Sequence, residues 1–212
     1  MVLQVPGDRA IGQAVRILRR GGLVAFPTET YFGLAVDPFN VRAVERLFQV
    51  KHRPRNKPML VLVETGEQIN MLAASIPDCY NILMEQFWPG PLTLVFPARS
   101  DLSRLVTGGL GTIGIRKSPH PTARALVHSF GGPVTATSAN RSGGPPALSG
   151  RQVRRIFGNE VDMVLEAELP PCREGSTLVG CEAGQVFCIR EGRIPFAEVK
   201  QVLANTGSRK TT

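Results

Sequence analysis

The sequence predicts an α/β (mixed α+β) fold, a twisted mixed sheet with helices packed on it. Three observations carry this. Helical and strand patterning alternate from end to end. No linker, repeat or low-complexity stretch divides them. A hydrophobic content of 42%, punctuated by 22 Gly and 17 Pro, provides a sizeable core with many turns. The 212 residues read as one domain over 1–204 followed by a frayed tail over 205–212.

Taken in order, Asp8 to Arg20 reads as a helix. Asp8 can cap it, Ile11, Val15 and Leu18 form its stripe, and Gly21-Gly22 ends it. Leu23 to Phe26 is a short strand. Pro27 to Leu34 then breaks both periodicities and puts Thr28, Glu29 and Thr30 directly after a strand end, where ligands of α/β sheets collect. Thr28 and Thr30 also suit simple turn bonding. Asn40 to Val50 is a helix with Asn40 as N-cap and Val41, Val44, Leu47 and Phe48 inward. Met59 to Val63 is a strand. Short helices follow around Ile69–Ile76 and after Pro77-Asp78, the second stopped by Trp88-Pro89-Gly90-Pro91, where Trp88 is a packing anchor.

Leu92 to Phe96 is the next strand, and Arg99 to Gly111 a polar loop. Thr112 to Ile115 is a strand with Arg116 at its end, either an anion clamp or a surface residue. Pro121 opens a helix. Pro133 to Thr137 is a strand running into Ser138-Ala139-Asn140-Arg141-Ser142-Gly143-Gly144, which fits a phosphate cradle or an ordinary turn but has no Walker A order. Ser149 to Phe157 is a helix with Arg151, Arg154 and Arg155 outward. Val161–Leu165, Thr177–Val179 and Gln185–Ile189 are strands, with a loop over Pro170–Ser176, and Pro195 opens the last helix.

Net charge is +8, from 25 Lys+Arg against 17 Asp+Glu, which suits anionic partners such as nucleotides or nucleic acid. There is no apolar run of transmembrane length and no signal-peptide layout, so no membrane role and a cytoplasmic location are expected. Cys79, Cys172, Cys181 and Cys188 form no CxxC pair, which argues for reduced thiols and against zinc.

The segment Lys51-His52-Arg53-Pro54-Arg55-Asn56-Lys57-Pro58 stands out. Its cations fall at every second position, and Pro54 and Pro58 bias Arg53 and Lys57 towards extended backbone. The four would then share a face with no local acid to neutralise them. An anion site is one reading, a solvated basic loop the other.

Several of these stretches occur together elsewhere. Phe26-Pro27-Thr28-Glu29-Thr30-Tyr31-Phe32-Gly33-Leu34 resembles the PTETVYGL signature of the YrdC-like threonylcarbamoyl-AMP synthases. Lys51-His52-Arg53 is similar to that family's KxR motif and Ser138-Ala139-Asn140 to its SxN motif. The blocks at Trp88–Thr93, Gly114–Arg116 and Gly175–Leu178 recur in the same order, and the resemblance spans Ala10 to Phe196.

The resemblance implies a basic concave face and a reaction: L-threonine, bicarbonate and ATP give threonylcarbamoyl-AMP and pyrophosphate. A threonylcarbamoyl-transferase complex then modifies adenosine 37 of tRNA. It implies Lys51, Arg53, Ser138 and Asn140 as catalytic. Lys51, Arg55, Thr112, Ser138, Ser149 and Arg190 would bind ATP, and Thr28, Arg116 and Thr177 threonine. No protein metal site is implied, and Mg²⁺ would arrive with ATP. The chain departs from the family at Tyr31-Phe32, where Val-Tyr is usual, at Met59–Leu62, which lacks a histidine, and at Leu178-Val179. A paralogue with another amino-acid substrate, a related carbamoyl-adenylate former, and a non-catalytic module binding tRNA or double-stranded RNA are the other readings.

Overall fold

The computed structural model describes residues 6–166 and 174–207. The first half runs α1 (Asp8–Arg19), β1 (Val24–Pro27), β2 (Phe32–Ala35), α2 (Val41–Lys51), β3 (Leu60–Leu62), α3 (Gly66–Asn70), α4 (Asp78–Phe87) and β4 (Leu92–Pro97). It continues α5 (Arg104–Thr107), β5 (Thr112–Arg116), α6 (Pro121–Phe130), β6 (Val134–Thr135), β7 (Thr137–Ser138) and α7 (Gly150–Phe157). Then come a 3-10 turn at Gly158–Glu160, β8 (Met163–Val164), β9 (Thr177–Glu182), β10 (Gln185–Arg190) and α8 (Phe196–Gly207).

The mixed α/β expectation holds, with the strands divided between two mixed sheets. A four-stranded sheet has the order β7-β2-β1-β8, and a six-stranded sheet the order β10-β9-β4-β5-β3-β6. The division falls inside the segment expected as one strand, Pro133 to Thr137. Val134 and Thr135 pair antiparallel with β3 in the large sheet, whereas Thr137 and Ser138 pair with β2 in the small one. Ala136 between them donates its N–H to Leu60 O at 2.8 Å. Thr135 is tied the other way, accepting from Val36 N at 2.9 Å and donating to Leu34 O at 3.1 Å through its hydroxyl.

One core cluster joins α1 to α6 over β1. Ile11, Val15 and Leu18 of α1 meet Leu126 and Val127 of α6 above Val24 and Phe26. Each such buried aliphatic contributes about 1.5–3 kcal/mol. The larger cluster lies under α2, α4 and α8. Tyr80 of α4 stacks edge-on to Phe96 at 4.9 Å, and its hydroxyl donates to Val95 O at 2.9 Å. Trp88 is a packing anchor here too, its indole N–H donating to Leu92 O at 2.7 Å.

Several local expectations change. Gly7 is the N-cap of α1, and Asp8 is its first helical residue, where a carboxylate favours the positive helix end. Phe32–Ala35 is a strand, not part of a loop. All four of its residues are buried, so no polar alternation marks it. Val41 is exposed, while Val44, Leu47 and Phe48 face inward. The loop over Arg99–Gly111 contains the one-turn α5, capped by Ser103. Helix α8 continues to Gly207, into the expected tail; 208–212 lie outside the described residues.

Cys79, Cys181 and Cys188 are free thiols, the first two with Sγ atoms 3.5 Å apart. Burial, then the neighbouring thiol, pushes Cys79 up to about 11. Cys172 and most of the Pro170–Ser176 loop fall outside the described residues. No described helix is long and apolar enough to cross a membrane, and no cluster of three His, Cys, Asp or Glu among the described residues forms a metal cage.

Candidate active site

A cavity of about 440 Å³ opens where the two sheets meet. One side is built from Thr28, Thr30–Gly33 and Ala136–Ser138, on the small sheet, its turn and the link into it. The other is built from β4, β5, β9 and β10 of the large sheet. Among the described residues its charged lining consists of Arg53, Arg116 and Arg190, with no carboxylate. Such a lining favours anions, although Glu29, behind Arg116, offsets part of its positive field.

Arg116 ends β5, whose side chains alternate, and it is only 2% exposed. The surface alternative for this residue is therefore wrong. Its Nε lies 3.3 Å from Glu29 Oε1, yet the two are too poorly aligned to hydrogen-bond, and both atoms are buried without a hydrogen-bond partner. Nη1 reaches only Thr30 Oγ1, at 3.5 Å. Burial holds this guanidinium below the ordinary arginine value; Glu29 opposes the shift and Arg190 adds to it. A buried cation with unsatisfied donors costs free energy until an acceptor arrives.

The Thr28–Tyr31 turn is self-bonded. Thr28 Oγ1 donates to Tyr31 O at 2.7 Å and accepts from Thr30 N at 3.2 Å. Thr28 thus has the local turn bonding and also lines the cavity. Opposite, Arg190 donates to Ser176 O at 2.8 Å, and Thr93 Oγ1 donates to Ser176 Oγ at 2.8 Å.

The basic segment is not one extended strip. Lys51 is the last residue of α2, and His52 caps that helix in the left-handed region at φ 51°. The chain then turns, with Lys57 N donating to Pro54 O at 3.2 Å. The four cations split accordingly. Lys51 is buried, Arg53 half-buried on the cavity wall, and Arg55 and Lys57 exposed. Gly108, at φ 62°, packs against this turn; a Cβ there would lie 2.7 Å from Pro58 N. Arg53 Nη2 donates to Pro58 O at 2.7 Å, bracing the turn from inside.

Lys51 Nζ points away from the cavity lining and into the 138–140 turn. It donates to Ser138 O and to Asn140 O, the latter at 2.7 Å. Burial, then repulsion by Arg53 and Arg141, pushes its ammonium down to about 7. Ser138 Oγ donates to Asn140 Oδ1 at 2.6 Å, and Asn140 Nδ2 donates to Gly144 O at 2.7 Å. The Ser138–Gly144 stretch is thus a bonded turn, with Ser138 on the cavity and Lys51 and Asn140 behind it.

Of the residues singled out by sequence, the cavity brings together Thr28, Arg53, Thr112, Arg116, Ser138 and Arg190. Lys51, Arg55, Asn140, Ser149 and Thr177 are not in its lining. Ser149 is the N-cap of α7, accepting from Gln152 N. The Thr177 hydroxyl donates to Ile194 O and accepts from Gly192 N and Ile194 N, so it is occupied by backbone. Strand alternation puts its neighbour Leu178 on the cavity instead. Behind Arg116, Ser118 was not singled out by the sequence, and Glu29 was noted only as the acid of a strand-end turn, with no role of its own; Ser118 donates to Glu29 Oε2. The only signal for Glu29 was an acid inside the hydroxyl-rich turn. Of the positions that depart from the resembled motifs, Tyr31, Phe32, Met59, Leu60 and Leu178 line the cavity, while Val61, Leu62 and Val179 do not.

The Sua5/YciO/YrdC family model, described as "Telomere recombination", matches residues 16–192. The chain belongs to the Sua5/YciO/YrdC family. Among curated members, it is 35% identical over 179 residues to a threonylcarbamoyl-AMP synthase of Coxiella burnetii, covering 84% of this chain and 96% of that one. It is 35% identical over 190 residues to the Pyrococcus abyssi threonylcarbamoyl-AMP synthase, covering 90% of this chain but only 56% of that relative. The crystal structure of P. abyssi Sua5 complexed with L-threonine superimposes with a TM-score of 0.89 at 34% identity, over 94% of this chain and 58% of that one. The Sua5/YciO/YrdC match contains all six sequence blocks, including both walls of the cavity.

Proposed function

We propose that this protein is an L-threonylcarbamoyladenylate synthase, a nucleotidyltransferase making threonylcarbamoyl-AMP and pyrophosphate from L-threonine, bicarbonate and ATP. The observation that carries this reading is Arg116. It is a buried guanidinium with an unbonded Nε, beside a cavity whose charged lining is entirely cationic. The names of the relatives support the same reaction.

Arg116 takes the threonine carboxylate, since guanidinium and carboxylate pair in a fork. Thr28 and Thr30 then face the amino-acid side chain and amine. Bicarbonate takes up a proton and loses water to give CO₂; the neutral amine nitrogen bonds to the carbon of CO₂ and releases one proton, leaving a carbamate, so that the net change is amine plus bicarbonate to carbamate plus water. A carbamate oxygen attacks the α-phosphorus of ATP, the bond to the β-phosphate oxygen breaks, and pyrophosphate leaves. Both reactants are anions, so their repulsion is the main obstacle. Arg53 and Arg190 reduce it and stabilise charge on the leaving group. This accords with nucleotidyl transfer, which relies on positioning and electrostatics rather than on covalent catalysis.

Ser138 and Thr112 contact the nucleotide, and Lys51 and Asn140 support Ser138 from behind. With no carboxylate among the described lining residues, these side chains do not suit Mg²⁺, which would come with the incoming ATP. The product would pass, in the cytoplasm, to a transferase complex acting on tRNA. The test is pyrophosphate release across a panel of amino acids, with and without bicarbonate. Release that needs both threonine and bicarbonate is expected. Release with another amino acid would make the protein a paralogue, and none with any would refute the synthase reading.

A further inference from the structure

Behind Arg116 lies a buried acid that the reaction above does not use. Glu29 is 4% exposed and is not part of the cavity lining. Its Oε2 accepts from the Ser118 hydroxyl, and its Oε1 faces Arg116 Nε at 3.3 Å. Ser118 is itself fixed: its Oγ accepts from His120 N at 3.2 Å, leaving the hydroxyl hydrogen for Glu29. His120 is the N-cap of α6, so the chain of contacts starts on a packed helix. It runs from the α6 N-terminus through Ser118 and Glu29 to the guanidinium. On its other side Arg193 Nη1 donates to Glu29 O at 3.4 Å, holding the backbone of the same turn.

A guanidinium recognises a carboxylate well only in one plane, and a buried Arg has few other acceptors to hold that plane. We propose that Glu29 and Ser118 form a positioning pair that orients Arg116, so that the pocket selects its amino acid by the α-carboxylate. This rests on the reading that Arg116 binds that carboxylate. Glu29 also repels an incoming carboxylate. Alignment outweighs this repulsion, because a misaligned guanidinium forfeits its charge-assisted hydrogen bonds to the carboxylate, the strong class of such bonds.

The experiment measures binding of L-threonine and of L-threoninol, which lacks the carboxylate, by calorimetry on the full chain, together with KM and kcat. Glu29→Gln should weaken threonine about tenfold and leave threoninol unchanged, with kcat at saturating threonine within about threefold. Ser118→Ala, which keeps the ion pair, should weaken threonine about threefold, and it decides the matter if Glu29→Gln fails to fold. Arg116→Lys separates the two levels. If it binds threonine normally, the carboxylate reading of Arg116 is wrong. If it loses threonine while Glu29→Gln and Ser118→Ala bind it as well as the parent or better, the positioning pair is wrong and the carboxylate reading stands. Equal weakening of threonine and threoninol in Glu29→Gln would also overturn the pair, making the acid purely structural.

Discussion

The floor around Arg116 and the turn over His52–Pro58 are both basic, yet they differ in what holds the charge. At the floor, the cation is buried, faces an acid at 3.3 Å and has donors to spare. On the turn, Arg55 and Lys57 stand in water, where screening removes most of their interaction energy. Charge density in a sequence therefore says little about function until burial is known. Single buried charges can dominate a site that a conspicuous exposed cluster merely borders.

The sharpest way to break this contrast is Arg116→Ala. It should lower kcat/KM for threonine by about 100-fold or more, as removal of a desolvated charge partner costs about 3–5 kcal/mol. Pyrophosphate release against threonine concentration checks it; a loss confined to ATP would relocate the amino acid.

Lys51→Met should come next. It leaves the Ser138 and Asn140 carbonyls without their donor, at a cost of about 1–3 kcal/mol each. Urea unfolding reads the loss. The pH dependence carries a sign. Because the folded state holds Lys51 near 7 while the unfolded chain keeps the ordinary value of 10.5, the unfolded state binds more protons between these values. Keeping the buried Lys51 ammonium charged therefore carries a penalty that is full below about pH 7 and is relieved as pH rises from about 7 towards 10.5, while its hydrogen bonds still favour the fold. The Lys51→Met midpoint should lack that rise.

Arg53→Ala, on the cavity wall, should raise KM for ATP by about tenfold, because Arg53 is partly desolvated but still reaches water. The smallest effect belongs to Arg55→Ala. Its activity should stay within about twofold of the parent and converge with it at high salt. A larger, salt-insensitive loss would mean that the turn closes over the ligand.

Much of the scaffold was legible in the sequence. Asn40 caps α2 and accepts from Ala43 N, as its side chain suggested, and α6 and β4 follow their apolar patterns. Strand β2 was hidden because it is buried on both faces. The alternating cations misled because α2 extends through Lys51, and the left-handed His52 redirects the chain after it. Position at a strand end drew attention to Arg116 but left a surface residue equally open, which its burial then excludes. Residues depending on long-range partners were not legible: Thr177 is absorbed by Ile194, and Glu29 acquires a role only when Ser118, 89 residues on, is brought beside it.

The passage of one short segment between the sheets has a mechanical consequence. Residues 134–138 contribute to both sheets and carry Ser138 to its place on the cavity wall. The gap between the two walls of the cavity is therefore gauged by a backbone link only a few residues long. Inserting one residue after Ala136 would reverse which side chains of β7 look inward. Substitutions at lining positions such as Phe32 and Leu178 would repaint the cavity's surface and leave that link, and so its span, unchanged.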